Sequence, residues 1–414
     1  MQMFWMMLYI FSAAYDYFDP LGISSYCTVS KLLAAFYILS SIRKMASIRK
    51  IFYIDGGIVS LLVFCAYFML ITFVGALEYN LEVSPESISL ITSILLCIIM
   101  MSCLIRDMRD PDVRDKAVAV FLLSIISVAV LLLLGIGISY KGDRIRFFGC
   151  NSNTIGFYGA MALVMPFAMS GTALRRWRRL HKAMLYASSV CSGGYLLYQS
   201  GSLGALVIVG VTMPIVLIRF VMKKNKILYL PVLILLVLLG ANTIVRDSVV
   251  EESAAYQRMV TMSEHSDIYD ENHILSGRLN IWEDTLRIFQ SSPLTGVGDT
   301  MYRWYIVDIS GIYHSTHNLY LELLAKTGII GFSLFMFPVF FLLLKIVRRF
   351  DLQLLALLLA VLLMWGKAGG VFADKALWFL LAYIISGTLL PKSDERRVSP
   401  PAPGIEQNDR VCNS

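Results

Sequence analysis

Residues 117–138 read AVAVFLLSIISVAVLLLLGIGI, 22 consecutive positions without a charged side chain. At about 1.5 Å per residue such a helix is roughly 33 Å long, enough to cross a hydrocarbon layer of about 30 Å. A helix on the surface of a soluble protein keeps one polar face, and this stretch has none, so it predicts a membrane span. Eleven further apolar runs of this character lie at 3–15, 26–42, 54–76, 88–105, 154–174, 183–197, 203–218, 227–245, 329–347, 352–365 and 376–390. The chain of 414 residues is 57% hydrophobic and 16% charged, more apolar than one water-soluble core requires. The expected fold is therefore an all-α polytopic membrane protein with about twelve transmembrane helices. The run at 3–15 is short and has no basic segment before it, so it reads as an uncleaved first span rather than a signal peptide.

Lys and Arg alternate strongly between the two sets of loops. One set, including Arg43, Lys44, Arg106, Arg109, Arg175, Arg176, Lys223, Lys224, Arg348 and Arg349, holds 24 of the 36 basic residues. The positive-inside rule makes that side cytoplasmic, and an even number of spans places both termini there. The net charge of +7 is thus explained by membrane orientation, and nucleic-acid binding is not expected. Cys65, Cys97, Cys103 and Cys191 lie in or beside apolar runs, so no disulfide framework is expected.

The opposite side carries a loop of about 80 residues, far beyond an ordinary connection. Residues 1–245 then hold spans one to nine, 246–328 a large, partly helical periplasmic loop, and 329–390 spans ten to twelve. Residues 391–414, rich in Pro and charge, form a cytoplasmic tail expected to be disordered. Length without span character marks the loop as the functional region.

Within the loop Leu279, Trp282, Leu286 and Phe289 recur at helical spacing, which predicts an amphipathic helix opened by Gly277 and Arg278. A cation in the first turn opposes the helix dipole, and a bound anion reverses that sign, since free N–H groups and a guanidinium converge on it. The alternative is a solvated Arg at a loop edge. Arg287 has Glu283 four residues before it and reads as a surface pair. Pro293, Gly296 and Gly298 impose a turn, whose glycines could let backbone approach a phosphate. His317 follows Ser315 and Thr316, either of which could cap a helix from Asn318 to Lys326 that Gly328 ends. A neutral imidazole there can take a proton from a sugar hydroxyl near pH 7; a structural His is the alternative, and Glu322 is a rival base. His314 lies nearby, but no Cys or carboxylate stands at zinc spacing, so no metal site is expected. Lys141, Arg144 and Arg146 form a second external basic group ahead of Asn151 and Asn153.

Three segments together resemble the O-antigen ligase family and the related polysaccharide polymerases: SGRLNIW at 276–282, PLTGVG at 293–298, and HNLYLELLAKTGIIG at 317–331. The resemblance implies a glycosyltransferase of the inner membrane, acting on its periplasmic face without metal, cofactor or nucleotide sugar. Its donor would be glycan on undecaprenyl diphosphate; its acceptor would be a sugar hydroxyl on lipid A core or, for a polymerase, on another lipid-linked glycan. The family's roles fall on Arg278 for the diphosphate and His317 for transfer, with Arg144, Arg146, Arg258, Asn318, Gly296 and Gly298 as candidate diphosphate or glycan contacts. One departure stands out. Where many members carry an Arg, the segment at 200–204 has Leu203, so Arg144, Arg146 or Arg258 supplies that charge or donor binding differs. A transporter would instead place charged groups inside the spans.

Overall fold

The computed structural model describes residues 1–16, 18, 28–44, 51–141, 144–169, 179–223, 278–311, 313, 315–367 and 371–390. The expected span at 227–245, Arg258 and the tail at 391–414 lie outside the described residues. The helices are α1 (Gln2–Ser12), α2 (Val29–Lys44), α3 (Gly56–Glu78), α4 (Pro85–Asp107), α5 (Pro111–Leu133), α6 (Ser152–Met169), α7 (Arg179–Ser200) and α8 (Leu203–Lys223). They continue with α9 (Arg278–Ser291), α10 (Gly298–Ser310), α11 (Leu319–Arg349), α12 (Leu352–Lys367) and α13 (Lys375–Leu389). Among them α3, α4, α5 and α11 are long and apolar enough to cross a membrane. Shorter apolar helices occupy Leu203–Ile218, Leu352–Lys367 and Lys375–Leu389.

The spans start where the sequence supplies a cap. Asp55, Ser84, Asp110 and Asp374 each accept a hydrogen bond from a first-turn backbone N–H, and Pro85 and Pro111 follow two of these caps with φ already set for a helix. A single apolar core runs through the bundle, from Met6 and Tyr9 of α1 through Phe64, Phe121 and Phe335 to Phe379 of α13. Lys375, at the start of α13, pairs with Asp16 beyond α1, so the two ends of the described chain close on each other.

The segment at 138–147, which carries the external basic group Lys141, Arg144 and Arg146, is a β-hairpin. β1 (Ile138–Lys141) pairs antiparallel with β2 (Arg144–Phe147), setting Ser139 opposite Arg146. Its aromatic end packs inward, with Phe147 tilted against Tyr15 and Phe148 against Phe18. The short alternating strands escape an apolar-run reading because only every second side chain faces the core.

Helix α11 decides where the site lies. Its backbone breaks at Gly328, with φ 61° and ψ −170°. The break frees the N–H groups of Ile329 and Ile330, and the Pro293–Gly296 turn fills it. Pro293 O accepts from Ile329 N at 2.9 Å, Leu294 O accepts from Ile330 N at 3.2 Å, and Ala325 O accepts from Val297 N at 3.1 Å. A Cβ on Gly328 would lie 2.6 Å from Gly296 N, and one on Gly296 would lie 2.5 Å from Gly328 N; both positions also have positive φ. Glycine is required at each because two backbones touch there. Gly298 is closed in the same way against α3, where a Cβ would come 2.6 Å from Thr72 Cα.

Candidate active site

The short helical stretch before Gly328, α9 and α10 form a compact cap on one end of the bundle. A satellite core of Ile288, Tyr302, Ile306 and Ala325, with Phe289, Val297 and Tyr305 packed against it, joins all three. The predicted helix at 278–289 is present, but its apolar stripe is rotated. Thr285 and Ile288 are buried, while Leu286 is 41% exposed. The reason is polar: Thr285 Oγ1 donates to Ile281 O and meets the Tyr302 hydroxyl, so a Thr can occupy the inner face at no hydrogen-bond cost. Arg287 sits on the outer face 3.6 Å from Asp284 and 4.0 Å from Glu283, as a surface pair should.

Trp282 is the link between the two principal candidates. Its indole Nε1 donates to Thr316 O at 2.9 Å, attaching α9 to the segment that carries His317. Arg278 is four residues before Trp282, one turn away on the same helix face, so the contact brings the start of α9 to the His317 strand of chain. Both Arg278 and His317 are half-buried. His317 has φ 51°, a left-handed backbone that a side chain other than glycine rarely adopts. The helix cap is Asn318, not Ser315 or Thr316: its side chain accepts from Tyr320 N at 3.1 Å and Leu321 N at 3.3 Å. Asn is better placed because the left-handed turn at His317 puts residue 318, in extended conformation, directly before the first helical turn.

Behind this segment lies a buried ionic network. Lys326 Nζ is 2.5 Å from Glu322 Oε1 and 2.6 Å from Asp299 Oδ1, and it faces the Tyr302 ring at 5.0 Å. Asp299 Oδ2 accepts from Arg303 Nε at 2.8 Å and from the Ser87 hydroxyl at 2.6 Å. Burial alone would raise the Asp299 carboxyl; the Lys326 and Arg303 charges, with hydrogen bonds from Lys326 and Ser87, outweigh it and hold the group below the usual carboxylate range. Arg303 in turn stacks on the Tyr313 ring at 4.7 Å. Glu322, weighed from sequence as an alternative base, is 2% exposed, with Oε1 on Lys326 and Oε2 3.3 Å from the Thr316 hydroxyl. It is committed inside the protein rather than presented to a substrate.

The remaining candidates separate. Gly296 and Gly298 have their Cα faces closed by α11 and α3, which gives them a shaping role. Arg146 lies on the hairpin, which packs against α6, α7 and, through Phe147, Tyr15 beyond α1. Arg144 shares that hairpin through its backbone pairing with Lys141.

Lys367 was not singled out from sequence. It ends α12, donates from Nζ to Ser202 Oγ, and lays its stem where a Cβ on Gly204 would stand. The adjoining Gly366 faces the Tyr320 ring, and Tyr320 Oη donates to Leu362 O at 2.8 Å. A cation thus stands at the 200–204 turn, brought there by a helix about 165 positions later. Its only trace in the sequence is a Lys closing an apolar run on the side poor in basic residues.

The opposite end of the bundle gathers many of the basic residues. Arg114 stacks on Tyr383 at 3.9 Å, Arg349 Nη2 donates to Leu390 O at 2.8 Å, and Arg106 pairs with Asp107 at 2.7 Å.

A family model described as O-antigen ligase matches residues 187–336, a span that includes α9, α10, the Gly328 break and the His317 segment. No curated protein matches the chain.

Proposed function

We propose that the chain is a membrane enzyme of the O-antigen ligase and polymerase type, the family whose model matches residues 187–336, and that it transfers glycan from undecaprenyl diphosphate to a sugar hydroxyl. The acceptor in this reading is lipid A core, on the periplasmic face of the inner membrane. The observation that carries it is the Trp282–Thr316 hydrogen bond, which brings the helix opened by Arg278 onto the segment bearing His317.

The chemistry asks little of the protein beyond charge and one proton. The acceptor oxygen attacks the anomeric carbon as the bond from that carbon to the diphosphate oxygen breaks; the acceptor proton passes to His317, and undecaprenyl diphosphate leaves. Arg278, at the N-terminus of α9, meets the charge that grows on the departing diphosphate with a planar donor pair, in the favourable field of the helix N-terminus. His317 acts as the general base, since a neutral imidazole is the side chain suited to take a hydroxyl proton near neutral pH. Glu322 does not compete for that role, because its oxygens are occupied. Lys367, at the turn where the family often has an Arg, contributes positive charge toward the donor in this reading. The gathering of Arg106, Arg114 and Arg349 at the far end supports the proposed orientation, with those residues cytoplasmic and the site outside.

The test is the glycolipid profile of a strain lacking the protein, complemented with wild type or His317→Ala. Loss of glycan from lipid A core, with glycan retained on its lipid carrier, is expected for both the deletion and the variant. Lipid-linked glycan limited to a single repeat unit would reassign the same site to a polymerase. A profile unchanged by the deletion would remove the function altogether.

A further inference from the structure

Proton transfer by His317 does not by itself explain why Lys326, Glu322 and Asp299 are buried behind it. Neighbouring contacts hold His317 in its left-handed conformation from both sides. On the near side Ser315 Oγ is 3.5 Å from His317 N, and Thr316 O is held by Trp282. The Thr316 hydroxyl reaches over His317 to the residue beyond it. It accepts from Asn318 N at 3.3 Å, lies 3.0 Å from Asn318 O and lies 3.3 Å from Glu322 Oε2. Thr316 is fully buried, so water does not substitute for these partners. A hydroxyl has one proton, here shared between a carbonyl and a carboxylate, and Glu322 is oriented to receive it because Lys326 occupies its other oxygen. Lys326 is fixed by Asp299, and Asp299 by Arg303, Ser87 and, through its backbone N–H, Thr72 of α3. The chain of contacts therefore runs from the long spans to the peptide groups on either side of His317.

We infer that Thr316 and Glu322 are positioning residues that clamp the His317 backbone for proton transfer, with Lys326 and Asp299 anchoring the clamp. The inference rests on the reading of His317 as the base. It gives the buried ion network a function other than stability: each member has its geometry set by the next, and the series ends at the peptide groups that flank His317. A misplacement of about 1 Å at a reacting group can lower a rate about a hundredfold, so a clamp of this kind acts on turnover more than on binding.

The experiment compares purified wild type with Thr316→Val, Thr316→Ser and Thr316→Ala, using undecaprenyl-diphosphate-linked glycan and a glycolipid acceptor. Thr316→Val keeps the branched shape and removes only the hydroxyl; it is expected to lower kcat about tenfold or more while donor KM stays within about twofold. Thr316→Ser restores the hydroxyl and should recover most of kcat, an outcome that packing at a fully buried site does not produce. Thr316→Ala, which removes the same hydroxyl without adding a methyl to a polar pocket, takes the place of the Val variant if the latter does not accumulate. Unchanged kcat in Thr316→Val, an equal loss in Thr316→Ser, or a loss confined to KM would overturn the clamp while leaving the transferase reading intact. Absence of transfer by wild type would instead overturn the reading on which the clamp rests.

Discussion

Replacing Lys326 by Met tests the buried network directly. The side chain is 1% exposed and lies between Glu322 Oε1 at 2.5 Å and Asp299 Oδ1 at 2.6 Å. Methionine replaces the stem of the lysine as far as Cε and lacks only the ammonium, so most packing against Tyr302 survives and the loss is mainly electrostatic. Two carboxylates then remain buried, and the Arg303 guanidinium, 2.8 Å from Asp299 Oδ2, neutralises one of them. Removing one partner from a buried ion pair costs about 3–5 kcal/mol, because the charge left behind keeps its desolvation penalty. That is a large part of an ordinary folding free energy of about 5–15 kcal/mol. The sign with pH follows from the depressed Asp299 carboxyl: in the wild type its stabilisation is fully present above the ordinary value of 3.8 and is lost as pH falls below it through the folded value. The double variant Lys326→Met with Glu322→Gln removes one charge of each sign and should be more stable than Lys326→Met alone. Thermal melting in detergent, followed by the monodisperse fraction on size exclusion, measures both. A Lys326→Met protein that melts with the wild type, or a double variant less stable than the single, would refute the reasoning.

Gly328→Ala should destabilise by at least about 2 kcal/mol, since it adds a left-handed penalty to a close contact with the 293–296 turn, whereas Gly194→Ala, with open space around it, should be neutral or slightly stabilising in the same melting assay. Arg278→Ala should abolish transfer in cells at near wild-type membrane abundance, and Arg278→Lys should restore little if the diphosphate is held by two parallel bonds; full activity of the Lys variant would indicate a point charge. Reporter fusions after Asp267 should read periplasmic and those after Arg178 and Arg397 cytoplasmic, and a periplasmic signal at Arg178 would overturn the proposed topology.

The apolar periodicity was enough to locate the long helices, because a span is apolar on all faces and needs no partner to be recognised. The Gly328 break was legible for a similar reason: a glycine after Lys326-Thr327 ends a helix by local chemistry. Contacts between distant segments were not. Lys326 stands four residues after Glu322, the spacing of an exposed pair, and nothing local reveals that both are buried and that Lys326 also pairs with Asp299. The rotation of α9 by Thr285 depends on the Tyr302 hydroxyl, and α10 itself was hidden because Gly298 reads as a turn residue. The hairpin at 138–147 fell between apolar runs, although its alternation of Ile138, Tyr140, Ile145 and Phe147 with polar neighbours carried the strand signal. Lys367 could not be assigned to the Ser202 turn without the packing of α12 on α8.

Arg278 and His317 carry the glycosyl transfer from a lipid diphosphate in this mechanism, with the imidazole as base. The most direct measurement is transfer by the purified protein from synthetic undecaprenyl-diphosphate glycan, in the presence of a metal chelator, comparing wild type with His317→Ala and His317→Arg. Wild type should form product and release undecaprenyl diphosphate, and both variants should be inactive, because an arginine supplies charge but is not a useful base at neutral pH. Substantial transfer by His317→Arg would contradict the base assignment, and a wild type that works only with added divalent metal would contradict the mechanism itself.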